Sequence, residues 1–355
     1  MGALRRRLVA LLVVMACGVS GAVVATTWSA SGAAAARDPW RALLDRVPAT
    51  GTFADWIIVN DYEVARAAGD VERSSDRIHD LLVLEKATGV APSELVRAPA
   101  SGDPLDEELG IRTRDVERDL IAGDPPGDLT ILEGSIDPDR VKKAVESDES
   151  FSDDLTTARH AGTRYYTWEE QIDLLRRSPL RPTGVGGNLA VVPPYAAWSE
   201  RAASIEGSID AAAGDVDSLG DNRDLIAAMK ALHTRGGYAG FLTTSLQSAG
   251  VDPGGPEPLA PYDALAVGPT LEQGNQPQII VVLAYPDAST ARAQAVRLRA
   301  IAEDGTTVTG TAWRNVIEVA EVGNVGRLVV GRFDTDRPRL WFDVVLRRDS
   351  LLATP

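Results

Sequence analysis

Asp128-Leu129-Thr130-Ile131-Leu132-Glu133-Gly134-Ser135-Ile136-Asp137-Pro138-Asp139-Arg140-Val141 runs an apolar strand into a tight corner and the start of a helix. The same plan returns at Gln278-Ile279-Ile280-Val281-Val282-Leu283-Ala284-Tyr285-Pro286-Asp287-Ala288-Ser289-Thr290. Both corners carry Pro and Asp. Asp139 and Asp287 therefore lie near a helix start, where free N–H groups favour negative charge. Two such strand–helix units predict two structural halves.

Working outward, residues 40–47 place Trp40, Leu43, Leu44 and Val47 at helical spacing. Trp56-Ile57-Ile58-Val59-Asn60 reads as a short buried strand, and 76–86 as a helix. Residues 99–104 read as a loop, and 111–120 as a helix with Thr113 at its N-cap. Beyond the central unit, 163–168 and 189–192 read as strands, with a loop over 176–187. Residues 202–213 and 221–232 read as helices, and 238–243 as a strand. In the second half, 264–267 and 279–284 are expected to be strands and 288–302 a helix. Three closing strands are expected near 315–322, 327–333 and 340–346, with Gly323-Asn324 at a hairpin corner.

This order predicts an α+β fold of two mixed or antiparallel sheets, with helices packed on one face and pseudo-repeated strand–helix–strand units. The divisions expected are an N-terminal segment 1–27, a tether 28–39, a first half 40–250, a linker 251–261 and a second half 262–350. Gly250, Pro253, Gly254, Gly255 and Pro256 mark the boundary.

The N-terminus suggests an address. Arg5-Arg6-Arg7 precedes the apolar run 8–16, the pattern of a signal peptide or membrane anchor. Val14-Met15-Ala16-Cys17-Gly18 resembles a bacterial lipobox, which would make Cys17 a lipid attachment site. Residues 8–26 are also just long enough to span a bilayer uncleaved. Cleavage after Ala25 or within 33–36 is the third reading. Cys17 is the single cysteine, so the folded part has no disulfide and no thiolate metal site.

A formal charge of −15 disfavours nucleic acid as a partner and makes attachment to an anionic membrane surface by charge alone an unfavourable expectation. Lys86, Lys142, Lys143 and Lys230 are the only lysines among 36 basic residues; this arginine excess reads as base composition, without functional weight.

Two stretches carry a resemblance. One is Gly207-Ser208-Ile209-Asp210 continuing to Ser218-Leu219-Gly220-Asp221-Asn222-Arg223-Asp224-Leu225. The other is Glu133-Gly134-Ser135-Ile136-Asp137 followed by a helix and Tyr165-Tyr166. Both resemble a broad set of bacterial exported proteins grouped as a domain of unknown function. The resemblance implies an extracytoplasmic, often membrane-tethered α+β protein, and it transfers no catalytic residues.

Chemistry is sparse. Asp215-Val216-Asp217-Ser218-Leu219-Gly220 begins like a calcium loop, but Leu219 and Ile226 stand where oxygen ligands are needed. His79, His160 and His233 are far apart in sequence. Gly184-Val185-Gly186-Gly187 lacks the spacing of a dinucleotide loop. No cofactor or metal is expected. Tyr166 and Trp168 alternate onto one strand face, Tyr165 onto the other, and Glu170 follows. Tyr166, Trp168 and Glu170 are the candidate ligand-binding residues, as rings beside carboxylates stack on sugars; cross-strand packing is the plainer reading. The functional expectation is an exported, membrane-associated binding or interaction module without enzymatic activity. Its partners would be the membrane, through the N-terminal segment, and a protein or cell-wall component. A structural envelope component or a hydrolase are the alternatives.

Overall fold

The computed structural model describes residues 38–74, 76–97, 102–123, 128–148, 152–168, 172–181, 183–244, 255–272 and 276–354. Cys17 and Glu170 lie outside them, as does the N-terminal segment. The chain divides into two units, Met1–Pro39 and Trp40–Pro355, and the fold is that of the second.

In chain order the elements begin with α1 (Pro39–Leu44), β1 (Ile57–Asp61), α2 (Tyr62–Gly69), α3 (Arg77–Thr88), α4 (Glu94–Arg97) and α5 (Pro104–Leu109). Next come β2 (Val116–Ala122), β3 (Leu129–Gly134), α6 (Pro138–Ser147), β4 (Thr156–His160), β5 (Thr163–Thr167), β6 (Asn188–Val192) and β7 (Tyr195–Ser199). Then follow α7 (Ala202–Ala213), α8 (Arg223–Thr234), β8 (Ala239–Thr243), β9 (Ala264–Glu272) and β10 (Gln276–Ala284). The chain closes with α9 (Ala288–Asp304), β11 (Glu318–Val325), β12 (Leu328–Asp334) and α10 (Leu340–Leu346).

The strands form one antiparallel sheet of twelve, ordered β11-β12-β10-β9-β8-β1-β2-β3-β7-β6-β5-β4. The expectation of two sheets is therefore corrected. Strands β1 and β8 pair at the centre, Ile57 opposite Leu242 and Asn60 opposite Ala239, and β8 pairs in turn with β9, Phe241 opposite Val267, which joins the two expected halves in one sheet. Outward from the centre each half repeats a plan. A hairpin (β2–β3 or β9–β10) leads through a helix (α6 or α9) to a further meander, four strands β4–β7 in one half and the hairpin β11–β12 in the other, whose last strand docks on the first hairpin, β7 on β3 and β12 on β10. The pseudo-repeat thus lies inside a single sheet.

Helices cover both faces rather than one, a second correction. Ile58, Ile121, Leu132, Ile279, Val281 and Leu283 meet α2, α3, α5, α6, α9 and α10. Ile57, Val59, Leu120, Ile131, Ile280 and Val282 meet α1, α7 and α8. Alternate residues of the same strands are buried on opposite sides. Unbroken runs such as Ile279-Ile280-Val281-Val282-Leu283 are the signature of that two-sided burial.

The Asp corners hold as local chemistry. Asp137 caps α6, its carboxylate accepting from the N–H groups of Asp139 and Arg140; Asp287 does the same for Ser289 and Thr290 at α9.

Three local assignments change. The expected helix over 111–120 is a short 3-10 turn, Thr113–Asp115, followed by β2. Val116 and Leu120 mimic helical spacing, but pairing with β1 and β3 supplies the backbone partners. The expected strand over 340–346 is α10, whose buried Leu340, Trp341, Val344 and Val345 form a helical stripe. The hairpin corner falls at Gly326 (φ +57), beyond Gly323 and Asn324, which remain inside β11.

Candidate functional site

On the first of these faces, above the start of β2, helices α2 and α3 stand apart from α5 and α6. Between them lies a cleft of about 740 Å³. Arg66, Arg73, Arg77, Arg112, Arg114 and Arg140 line it, with Asp76, Asp80, Asp103 and Asp106. Its lining carries six guanidinium groups and four carboxylates, with Glu63 and Asp115 paired just outside it, on a chain whose formal charge is −15.

Each wall has a local cause. Asp61 ends β1 and caps α2, accepting from Val64 N, while Asp76 caps α3, accepting from His79 N. The Arg66 guanidinium donates both ends of its fork to Asp80 and so clamps α2 to α3. Across the cleft, Arg140 Nε donates to Asp106 at 2.8 Å, joining α6 to α5. That hydrogen bond also raises the Arg140 pKa. Gly110 permits the approach: at φ +69, a Cβ there would lie 2.6 Å from the Arg140 carbonyl oxygen. Asp103 accepts from Thr113 N and Thr113 Oγ1, fixing the turn that carries Arg112 and Arg114.

These contacts satisfy the carboxylates from within the walls. Arg77 donates to the carbonyl oxygens of Val96 and Gly102. Arg73 donates to Arg114 O and pairs with Glu63, outside the lining. Arg112 and Arg114 share the single carboxylate of Asp115. The surplus of donors favours a bound carboxylate or phosphate.

The floor is a buried polar network. Tyr62 lines the cleft and donates to Asp119 at 2.8 Å. Asp119 also accepts from Asn60 Nδ2 at 2.7 Å and Ser93 N at 2.8 Å. Burial raises the Asp119 pKa against these hydrogen bonds, and burial beside Asp119 raises that of Tyr62 well above its ordinary value. Tyr62 is therefore held as a neutral donor.

The aromatic residues singled out in the sequence sit elsewhere. Tyr166 (8% exposed) and Trp168 (2%) pack in the core on one face, while Tyr165 packs on the other and donates to Glu206. Trp168 lies under the Arg181 guanidinium at 4.8 Å, with Trp198 at 5.6 Å. Arg181, 1% exposed, donates to Gly186 O, to Asp148 at 2.8 Å and to Glu108 at 3.4 Å. Desolvation lowers its pKa and raises that of Glu108. Both rings thus face the interior of a structural clamp.

The three histidines are separate. His160 meets Asp210 at 2.7 Å, His233 stacks on Trp40, and His79 lies at the start of α3. Among the described residues no group of three His, Cys, Asp or Glu side chains could hold a metal ion, and no helix is long and apolar enough to cross a membrane. Ser218 and Asp221, in the former calcium-like stretch, form a capping box before α8.

Sequence reasoning missed the cleft because its arginines are scattered from 66 to 140. The stretch is hardly richer in arginine than the rest of the chain, so no local signal marked them. No protein-family model matches the chain, and no curated protein matches it. Among solved structures it is similar to one described as crystal form I of TP0453, with TM-score 0.41 and 12% identity, over 88% of this chain and 98% of that one, a likeness too loose to argue from.

Proposed function

We propose that this chain is an exported, membrane-associated binding module that takes a small anionic ligand, carboxylate- or phosphate-bearing, in the arginine-lined cleft. The observation that carries the reading is the gathering of six arginines around one concavity of an acidic protein. The N-terminal basic and apolar segment supports the placement outside the cytoplasm. The α2–α3 and α5–α6 walls are pre-organised by their own ion pairs, so little ordering entropy is lost on binding.

Titration calorimetry of the full chain with pyrophosphate, inorganic phosphate and citrate tests the reading. Saturable binding is expected for at least one anion. Each charge-assisted hydrogen bond removed costs about 1.5–3 kcal/mol, so R112A/R114A should weaken binding at least about tenfold. Absence of binding to all three anions, or equal affinity in the variant, would overturn it.

A further inference from the structure

The four carboxylates that line the arginine cleft are not equally spent. Asp80 takes the fork of Arg66, and Asp106 takes Arg140. Among the described residues, Asp76 accepts only from a main-chain donor, His79 N at 3.1 Å. Asp103 accepts only from Thr113 N (2.9 Å) and Thr113 Oγ1 (2.7 Å). A neutral donor leaves the negative charge of a carboxylate in place. Two anionic charges without a cation of their own therefore line the same concavity as six guanidinium groups.

The two signs are neighbours. Asp103 grips Thr113, the residue between Arg112 and Arg114, and those two arginines have the one carboxylate of Asp115 between them. From α3, the Arg77 guanidinium donates to Gly102 O at 3.0 Å, which brings the helix that Asp76 caps beside the segment that carries Asp103. Capping does not call for the charge at Asp76, because Asn caps a helix as well as Asp. Counted with Glu63 and Asp115, six carboxylates stand against six guanidinium groups. A ligand that is an anion alone would fill the positive places and be repelled by Asp76 and Asp103.

We propose that the cleft takes a small zwitterion, with an ammonium group held by Asp76 and Asp103 and a carboxylate or phosphate held by Arg112 and Arg114. The inference rests on the proposed function and names the class of its ligand, an amino acid or an aminoalkyl phosphate rather than a polyanion. An ammonium carries three donors and no acceptor, which suits carboxylates with lone pairs to spare. The planar guanidinium forks suit the oxygens of the anionic end. Recognition of both ends makes the cleft selective, since an analogue lacking the amine leaves two carboxylates without a cation.

Titration calorimetry of the full chain with matched pairs tests it: L-glutamate against glutarate, and 2-aminoethyl phosphate against ethyl phosphate. The members of a pair differ in the amine, so the wild-type chain shows the preference without any substitution. In at least one pair the amine-bearing member should bind at least about tenfold more tightly, the worth of one charge-assisted hydrogen bond. Which pair does so separates a carboxylate from a phosphate ligand. D76N/D103N keeps an oxygen to accept from His79 N and from Thr113 N but removes both charges. It should abolish the preference while its thermal unfolding stays near that of wild type. Equal binding within both pairs, or tighter binding without the amine, would overturn the zwitterion and leave the anion reading standing. So would binding of citrate or pyrophosphate when none of these probes binds, whereas no binding by any of them would defeat both readings. A preference that survives D76N/D103N would overturn the roles given to Asp76 and Asp103.

Discussion

Arginine serves opposite ends in two regions of the same sheet face. Arg181 is enclosed by Trp168 and Trp198, and meets Asp148 and Glu108. In the cleft, Arg112 and Arg114 lie in the open and share Asp115. A buried charge must be matched by its surroundings, because an unpaired ion in the interior costs several kcal/mol. An open cleft can keep donors in excess because water solvates them until a ligand arrives. The lesson is that arginine count says little, while enclosure says whether the charge serves the fold or a ligand.

The comparison breaks most visibly at Arg181. Arg181→Met should destabilise the chain by about 3–5 kcal/mol in urea unfolding, since Glu108 and Asp148 would be left buried without their cation. The loss should shrink in acid. Burial raises the Glu108 pKa above its ordinary 4.5, so the folded chain holds that proton more tightly than the unfolded chain does. That group favours folding at low pH and opposes it as pH rises through the raised value. A loss below about 1 kcal/mol at neutral pH would show the clamp to be ornamental.

Asp119 sharpens the contrast from the floor of the cleft. Asp119→Ala removes the acceptor of Asn60, Ser93 and Tyr62, and each buried donor left unpaired costs about 1–3 kcal/mol. Tyr62→Phe should cost less, because it deletes one donor to a carboxylate that keeps two others. Thermal unfolding of both variants checks the order.

At the open site the effect on stability should nearly vanish. R112A/R114A is expected to unfold within about 0.5 kcal/mol of wild type, while its anion affinity falls as proposed above. A large stability loss would mean that these arginines, too, belong to the fold.

Asp287, by contrast, is a fully exposed charge that caps α9 and is satisfied by Ser289 and Thr290. Those hydrogen bonds lower its pKa from 3.8 to about 2. Its contribution is therefore present above the unfolded value and lost as pH falls through about 2. Thermal melts of wild type and Asp287→Ala should differ at neutral pH and converge near pH 2. A difference unchanged in acid would remove the carboxylate from the explanation.

The sequence by itself determined what local chemistry determines. The apolar runs at 129–132 and 279–284 form strands, and an Asp caps the helix after each. The α+β class and the repeated plan were legible there too. Leu340, Trp341, Val344 and Val345 also carried a helical stripe, passed over because the segment is short and apolar. The polar edge strand β4, Thr156–His160, had no pattern to read; it is an edge strand, held by β5 on one side.

Tertiary structure decided the rest. The single sheet depends on β1 meeting β8 across about 180 residues, a pairing that no local pattern encodes. The identity of β2 depends on neighbours on both sides, which override the helical spacing of Val116 and Leu120. The cleft depends on α2, α3 and α6 and on the turns at Arg73 and Arg112–Arg114 bringing distant arginines to one place, and the exposed tip at Leu175 on an anchor at Arg181. Spacing along the chain records how a segment coils, whereas enclosure, charge balance and exposure are properties of the surroundings and exist only once the segments have met.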